Sequence, residues 1–180
     1  MAKLCAAGIQ LRNQINTDYP ERDKRSDGWI ADARHLANNP SSDHIARDGI
    51  VRALDIDADL NAHKEEVFAL VQKIRKCAKN GDKRIKYIIH NQRICSPLLN
   101  WKWRKYKGNP HIAHFHISFT TLGDENGKPF DLEGKKNDQR SKTSSRELGE
   151  SISSGSPSDL SSGWMGCQCT CQCRTSISLA

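Results

Sequence analysis

The chain has 180 residues, with 28 Lys and Arg against 21 Asp and Glu, a net charge of +7, and 36% hydrophobic residues. This is enough for one domain with its own core plus an appendage, and no segment approaches the roughly 20 apolar residues that a membrane-spanning helix needs. Residues 1–122 carry 21 basic against 13 acidic side chains, or +8, whereas residues 123–180 carry 7 against 8, or −1, so the positive charge belongs to the first part.

Lys3 is followed by only a short, interrupted apolar run. No signal peptide is read there, and synthesis in the cytoplasm is expected. Leu4, Ala7, Leu11 and Ile15 recur at helical spacing, which predicts an amphipathic helix over about 4–16 that ends before Pro20. The stretch from Glu21 to Ile30 is charged and turn-rich; Arg22, Lys24 or Arg25 could hold a substrate carboxylate. Asp32 and His35 lie near Ser42-Asp43-His44 and could orient an imidazole.

Val51 to Ile56 reads as a short strand whose alternation places Val51, Ala53, Asp55 and Asp57 on one face. Asn61 is expected to cap a helix with Val67, Leu70, Val71 and Ile74 as its apolar stripe and Gly81 as its stop. Arg84 to His90 reads as a strand with Ile85, Tyr87 and Ile89 on one face, and His90 as a structural residue. Trp101, Trp103 and Tyr106 interleave with Lys102, Arg104, Lys105 and Lys107, a pattern that suits either a substrate groove or core cover.

Asn109 to Phe119 carries the densest chemistry. From His114 onward polar and apolar residues alternate, so Phe115, Ile117 and Phe119 face one way and His114, His116 and Ser118 the other. Side chains two apart on a strand stand roughly 6–7 Å apart. One imidazole can then bind a metal while its neighbour reaches a substrate or water. His44 from the preceding loop, an Asp of the first strand and His116 would supply two nitrogens and one oxygen, a three-ligand set with the fourth position left open as in catalytic zinc sites. Spacing alone leaves Asp57 as a rival to Asp55.

These residues resemble a known group. Ser-x-His followed by Gly and Ala-x-Asp, then a distant His-x-His on a strand, is similar to the lysostaphin, D-Ala-D-Ala metallopeptidase and hedgehog zinc folds. The triple His111-x-x-His114-x-His116 resembles the motif of penicillin-insensitive murein endopeptidases. Ser26-Asp27-Gly28-Trp29-Ile30, Ser42-Asp43-His44, Gly49 to Ile56, Arg84 to Ile89 and Asn109-Pro110-His111 together look like phage endolysin-type peptidases related to D-alanyl-D-alanine carboxypeptidases, over about residues 8–120.

The resemblance implies a Zn2+ cofactor held by His44, Asp55 and His116, with His114 beside the metal as base or transition-state donor. His111 stands where several relatives place an acidic base. Arg25, by its charge and as an Arg does in carboxypeptidase relatives, and Trp103, from the pattern of aromatics and cations, are the expected substrate contacts. The implied activity is hydrolysis of peptide bonds in the stem peptide of bacterial peptidoglycan, at the cell wall, by a monomer that neither inserts into membranes nor binds nucleic acid. Which bond is cut, D-Ala-D-Ala, L-Ala-D-Glu or a cross-bridge, stays open, as do a hedgehog-like non-catalytic zinc domain and a basic nucleic-acid binder.

The expected architecture is α+β, a small antiparallel sheet with flanking helices carrying one zinc site over residues 1–122. Residues 123–180 are expected to form a disordered linker and a Cys-rich tail, because residues 123–163 have few large apolar side chains to offset ordering entropy. Cys167, Cys169, Cys171 and Cys173 alternate in that tail, a pattern open to zinc or copper binding, disulfides or no function. Cys5, Cys77 and Cys95 show no pairing pattern and are expected to be reduced and structural.

Overall fold

A computed structural model describes residues 1–133; the expected linker beyond Glu133 and the Cys-x-Cys tail lie outside the described residues. In chain order the elements are β1 (Lys3–Leu4), α1 (Ala6–Asp18), α2 (Ala33–Asn38), β2 (Ile50–Val51), β3 (Ala53–Asp57), α3 (Val67–Lys79), β4 (Ile85–His90), β5 (Arg93–Cys95), β6 (Arg104–Lys105) and β7 (His114–Phe119). The class is α+β. Five strands form one antiparallel sheet in the order β3-β7-β4-β5-β6, while β1 and β2 form a separate parallel pair.

Strand β7 sits inside the sheet, and its alternation is what the sequence predicts. Phe115, Ile117 and Phe119 are at most 1% exposed and join Leu54, Ile56, Leu70, Ile74 and Leu11 in the core. That burial fixes the register, since a one-residue slip would turn three apolar side chains out and three polar ones in. Antiparallel pairing sets Asp55 opposite His116 and Asp57 opposite His114. The far side of β7 pairs with β4, where Ile89 stands opposite His116.

Three local features differ from expectation. The single strand over Val51–Ile56 divides at Arg52 into β2 and β3. Asn61 does not cap α3; a 3-10 turn over Asn61–Glu66 intervenes, and Glu66 precedes the helix without a side-chain cap. Gly81 ends α3 as expected, with φ of +115° and the Asp82 amide donating to the Cys77 carbonyl, a reversal that a residue without Cβ makes at least cost. In β4 an irregularity between Ile85 and Tyr87 shifts the phase. Ile85 and Ile88 enter the core, while Tyr87 and Ile89 turn to the opposite face, beside His116. A bulge re-aims the side chains that follow it.

The boundary expected after Leu122 falls inside the folded body. Phe130 and Leu132 are 3% and 7% exposed and belong to the core. Gln14 on α1 accepts from the Phe130 amide and donates to its carbonyl, at 2.8 and 2.9 Å. The Arg84 guanidinium lies 3.8 Å over the Phe130 ring and donates to the Asn126 and Lys128 carbonyls, and Arg52 forms a two-point ion pair with Asp124. Two apolar side chains and two arginines suffice to hold a segment whose composition reads as linker.

Cys5, Cys77 and Cys95 are buried free thiols. Burial pushes the Cys77 and Cys95 thiols up to about 11 and about 12, which keeps them protonated and unreactive at neutral pH. Among the described residues, no helix is long and apolar enough to cross a membrane.

Candidate metal centre

The sheet brings Asp55 and His116 together by register, and the loop before β2 adds His44. That loop is fixed on both sides. The Ser42 hydroxyl accepts from the His44 amide, the Ala31 amide donates to the His44 carbonyl, and the Arg52 amide donates to the Asp43 carbonyl. On the outer edge of β3, Gly28 exchanges two backbone hydrogen bonds with Asp55. The segment from Gly28 to Ala31, with Ser42 and Arg52, thus forms the frame that sets His44 and Asp55.

His44 Nε2 lies 3.2 Å from Asp55 Oδ2 and 3.1 Å from His116 Nδ1, and His116 Nδ1 lies 2.8 Å from Asp55 Oδ1. The three donors form a small triangle, buried at His44 and His116. Donor atoms about 2.0–2.2 Å from a common tetrahedral centre stand roughly 3.3 Å apart, so this triangle matches one face of a tetrahedral site with slight expansion.

The outward hydrogen bonds make the case stronger. His116 Nε2 meets Ser118 Oγ at 2.9 Å, Ser118 and Tyr87 both hydrogen-bond the Asp43 carboxylate, and Lys86 Nζ pairs with Asp43 at 2.8 Å. The backbone of Trp29 accepts from the His44 ring. With the outer nitrogen of each ring donating away from the centre, both inner nitrogens and the carboxylate present lone pairs to one point. That is the donor set of a cation, with the outer partners that orient ligating imidazoles.

The electrostatics agree. Burial alone would raise the Asp55 carboxyl, but hydrogen bonds and charge from His116 and His44 hold it well below the ordinary carboxylate range. Burial opposes charge on His44, yet Asp55 outweighs it and the His44 pKa is raised. Burial dominates at His116, whose pKa is lowered despite Asp55. Positive charge is thus favoured at His44, beside Asp55, over His116, and binding of a cation there would require His44 to be deprotonated.

A cavity of about 400 Å3 opens over the triangle, with Tyr106, Gly108, Asn109, His111 and His114 on its wall. His114 Nε2 stands 3.8 Å from Asp55 Oδ2, too long for a hydrogen bond. The His111 ring lies 4.9 Å from that of His114 and 5.6 Å from that of His116, centre to centre. Burial lowers the His111 pKa to about 4, so its ring is neutral at pH 7. Tyr87 stacks on His116 at 5.5 Å.

Other expected residues lie elsewhere. Asp57, the rival ligand, is 5% exposed and turned to the opposite end of the strand, where it accepts from the Ser26 and Asp59 amides at 2.9 and 2.8 Å. Arg25 is exposed, pairs with Asp23 and lines a separate groove with Asp57, Ala58, Ile112 and Ala113. Arg22 is buried, its guanidinium taken by both Asp27 carboxylate oxygens and Asn16. Trp103 packs against the core and lines a small cavity with Phe68, His90, Asn91 and Arg93, away from the metal donors; of the three aromatics only Tyr106 reaches the histidine cavity. Asp32 caps α2 by accepting from the His35 amide at 2.7 Å, and His35 Nε2 meets Ser42 Oγ at 2.8 Å. His90 is buried edge-on to Phe115, outside the cluster. Ser118 and Asp43 are the supporting residues that sequence reasoning missed. The signal for Ser118 was present, since it shares the polar face of β7 with His116.

A two-histidine, one-carboxylate site on a small antiparallel sheet is the class of arrangement that fold and geometry define. No family model matches the chain, and neither a curated protein nor a solved structure matches it.

Support from the outer residues has a measurable consequence. Ser118→Ala should weaken metal binding about 10–100-fold, read by competition against a chromophoric chelator. Unchanged affinity would mean that the His116–Ser118 contact does not orient the ligand.

Proposed function

We propose that the protein is a zinc-dependent peptidase that hydrolyses peptide bonds of peptidoglycan, acting at the bacterial cell wall in the manner of a phage lysin. The single observation that carries this reading is the buried triangle of His44 Nε2, Asp55 carboxylate and His116 Nδ1 at 2.8–3.2 Å, set beneath an open cavity rather than sealed in the core. Mixed imidazole and carboxylate donors suit Zn2+ among common ions. When bound, the ion lowers the pKa of water and polarises a carbonyl.

The chain's own residues then have distinct tasks. His111 Nδ1 faces the Asn109 carbonyl and donates to it. This leaves Nε2 as an acceptor that positions the attacking water. His114, nearer to Asp55, takes up the proton and can return it to the departing amine. Tyr87, stacked on His116 and hydrogen-bonded into the Asp43 network, holds the ligand ring in plane. Asp55 is the sole carboxylate on the described wall of this cavity, so no acidic base competes with the histidines.

That last observation also favours a second reading, a zinc-containing binding domain without turnover. Purified peptidoglycan separates the two. The zinc-loaded full-length protein should release fragments with new amino and carboxyl termini by mass spectrometry, with release stopped by chelator and restored by Zn2+. Sedimentation with the wall but no new termini would favour binding alone.

Metal affinity should depend on pH. Protonated imidazole cannot ligate, and the His44 pKa lies above its ordinary value of about 6.5. Apparent Zn2+ affinity should therefore climb as pH rises through the raised His44 value and level off only above it. Conversely, any stability the metal-free protein gains from charged His44 beside Asp55 is complete below pH ~6.5 and lost as pH rises through the raised value. Zinc affinity that stays flat between pH 5 and 9 would contradict the ligand assignment.

A further inference from the structure

Asp55 belongs to two donor groups at once. Its carboxylate meets His44 and His116 in the first, and in the second an Asp55 oxygen, one nitrogen of His111 and one of His114 all lie within 4.8 Å of each other. The second group is half-buried and faces the cavity. One of its histidines is oriented as the first pair is. His111 Nδ1 is held by the Asn109 carbonyl, so Nε2 presents a lone pair. The His111 backbone sits at φ of +51°, the left-handed region that a residue with a Cβ adopts at a cost. This conformation keeps the ring against that of His114 at 4.9 Å.

We propose that Asp55, His111 and His114 form a second, weaker site for a divalent transition-metal ion, which shares the Asp55 carboxylate with the first and closes the cavity when metal is in excess. Imidazole and carboxylate donors define the ligand class, Zn2+, Co2+ or Mn2+ rather than Ca2+ or Mg2+. Donor spacing sets the order of filling. His114 Nε2 stands 3.8 Å from Asp55 Oδ2 against 2.8–3.2 Å within the first triangle, so the second group must contract before it can bind. This inference rests on the metal centre of the proposed function, and it assigns the same two histidines a second occupant that displaces water and substrate.

Full-length protein, chelator-treated and with accessible thiols alkylated to silence the terminal cysteines, is titrated with Co2+ by calorimetry and electron paramagnetic resonance. Two equivalents should bind, the second more weakly, and the second should quench the signal of the first through the shared carboxylate. His111→Gln and His114→Gln should each weaken the second equivalent at least about 10-fold, as loss of a ligand costs no less than loss of its outer partner, and leave the first in place. In wild type, wall hydrolysis should fall as the second equivalent fills. A single equivalent in wild type, or a second that neither substitution weakens and that does not couple to the first, overturns the second site and leaves the first intact. Retention of the first equivalent in His116→Ala overturns the primary centre itself. Circular dichroism of each variant confirms that the comparison is between folded proteins.

Discussion

Asp55→Asn should lose tight metal binding, whereas Asp57→Asn should keep it. Both carboxylates lie on β3, two residues apart and with the same alternation. Only Asp55 reaches the histidines, at 2.8 Å from His116 and 3.2 Å from His44. The amide keeps the shape of the carboxylate and removes its charge, so the change isolates the ligand's electrostatic part. Loss of an outer partner already costs about 10–100-fold in affinity, and loss of the only anionic ligand should exceed the upper figure. Asp57→Asn instead weakens two hydrogen bonds to the Ser26 and Asp59 amides, each worth about 1 kcal/mol. Its effect should appear as a lower melting temperature with unchanged metal stoichiometry. The reverse pattern would transfer the ligand role to Asp57.

Truncation after Leu122 should destabilise the protein severely, and truncation after Glu133 should leave the domain folded. The shorter chain lacks Phe130 and Leu132, both in the core, and removes Asp124 from Arg52 and the backbone acceptors from Arg84. Emptying a buried Phe site alone costs about 3–5 kcal/mol, against a total stability of about 5–15 kcal/mol for a typical domain. For a domain of this size that corresponds to a fall in melting temperature of roughly 10 °C or more. The milder variant Phe130→Ala should reproduce much of that fall in an otherwise intact chain. Equal melting temperatures for the chains ending at 122 and 133 would show that the segment adds nothing to the fold.

Strand β7 was legible because three large apolar residues alternate with polar ones, and burial admits only one register for that pattern. His44, an Asp of the first strand and His116 were suggested by the type and order of the residues, and only the resemblance to zinc peptidases chose Asp55. Asp57 could not be separated from Asp55, because alternation gives both the same face; the choice is made by a loop, where the Ser26 amide occupies Asp57. The turn of Tyr87 toward His116 depends on a bulge in β4, and one unpaired residue leaves no mark on composition. Arg25 and Trp103 were placed at the site by charge and aromaticity alone, which say nothing of where a loop docks. Residues 123–133 read as linker because a mean over composition dilutes two anchoring side chains. His111 three residues before His114 was visible, but its proximity to Asp55 depends on a left-handed turn that the sequence Asn-Pro-His does not announce.

The metal centre makes one geometric demand, that three side chains from a loop and two strands share one cation. Anomalous diffraction from crystals of the zinc-loaded protein, recorded on both sides of the zinc edge, tests it most directly. The expected result is a peak within about 2.0–2.2 Å of His44 Nε2, an Asp55 carboxylate oxygen and His116 Nδ1. A fully loaded protein whose zinc peak lies elsewhere, with those three side chains bonded only to one another, would contradict it.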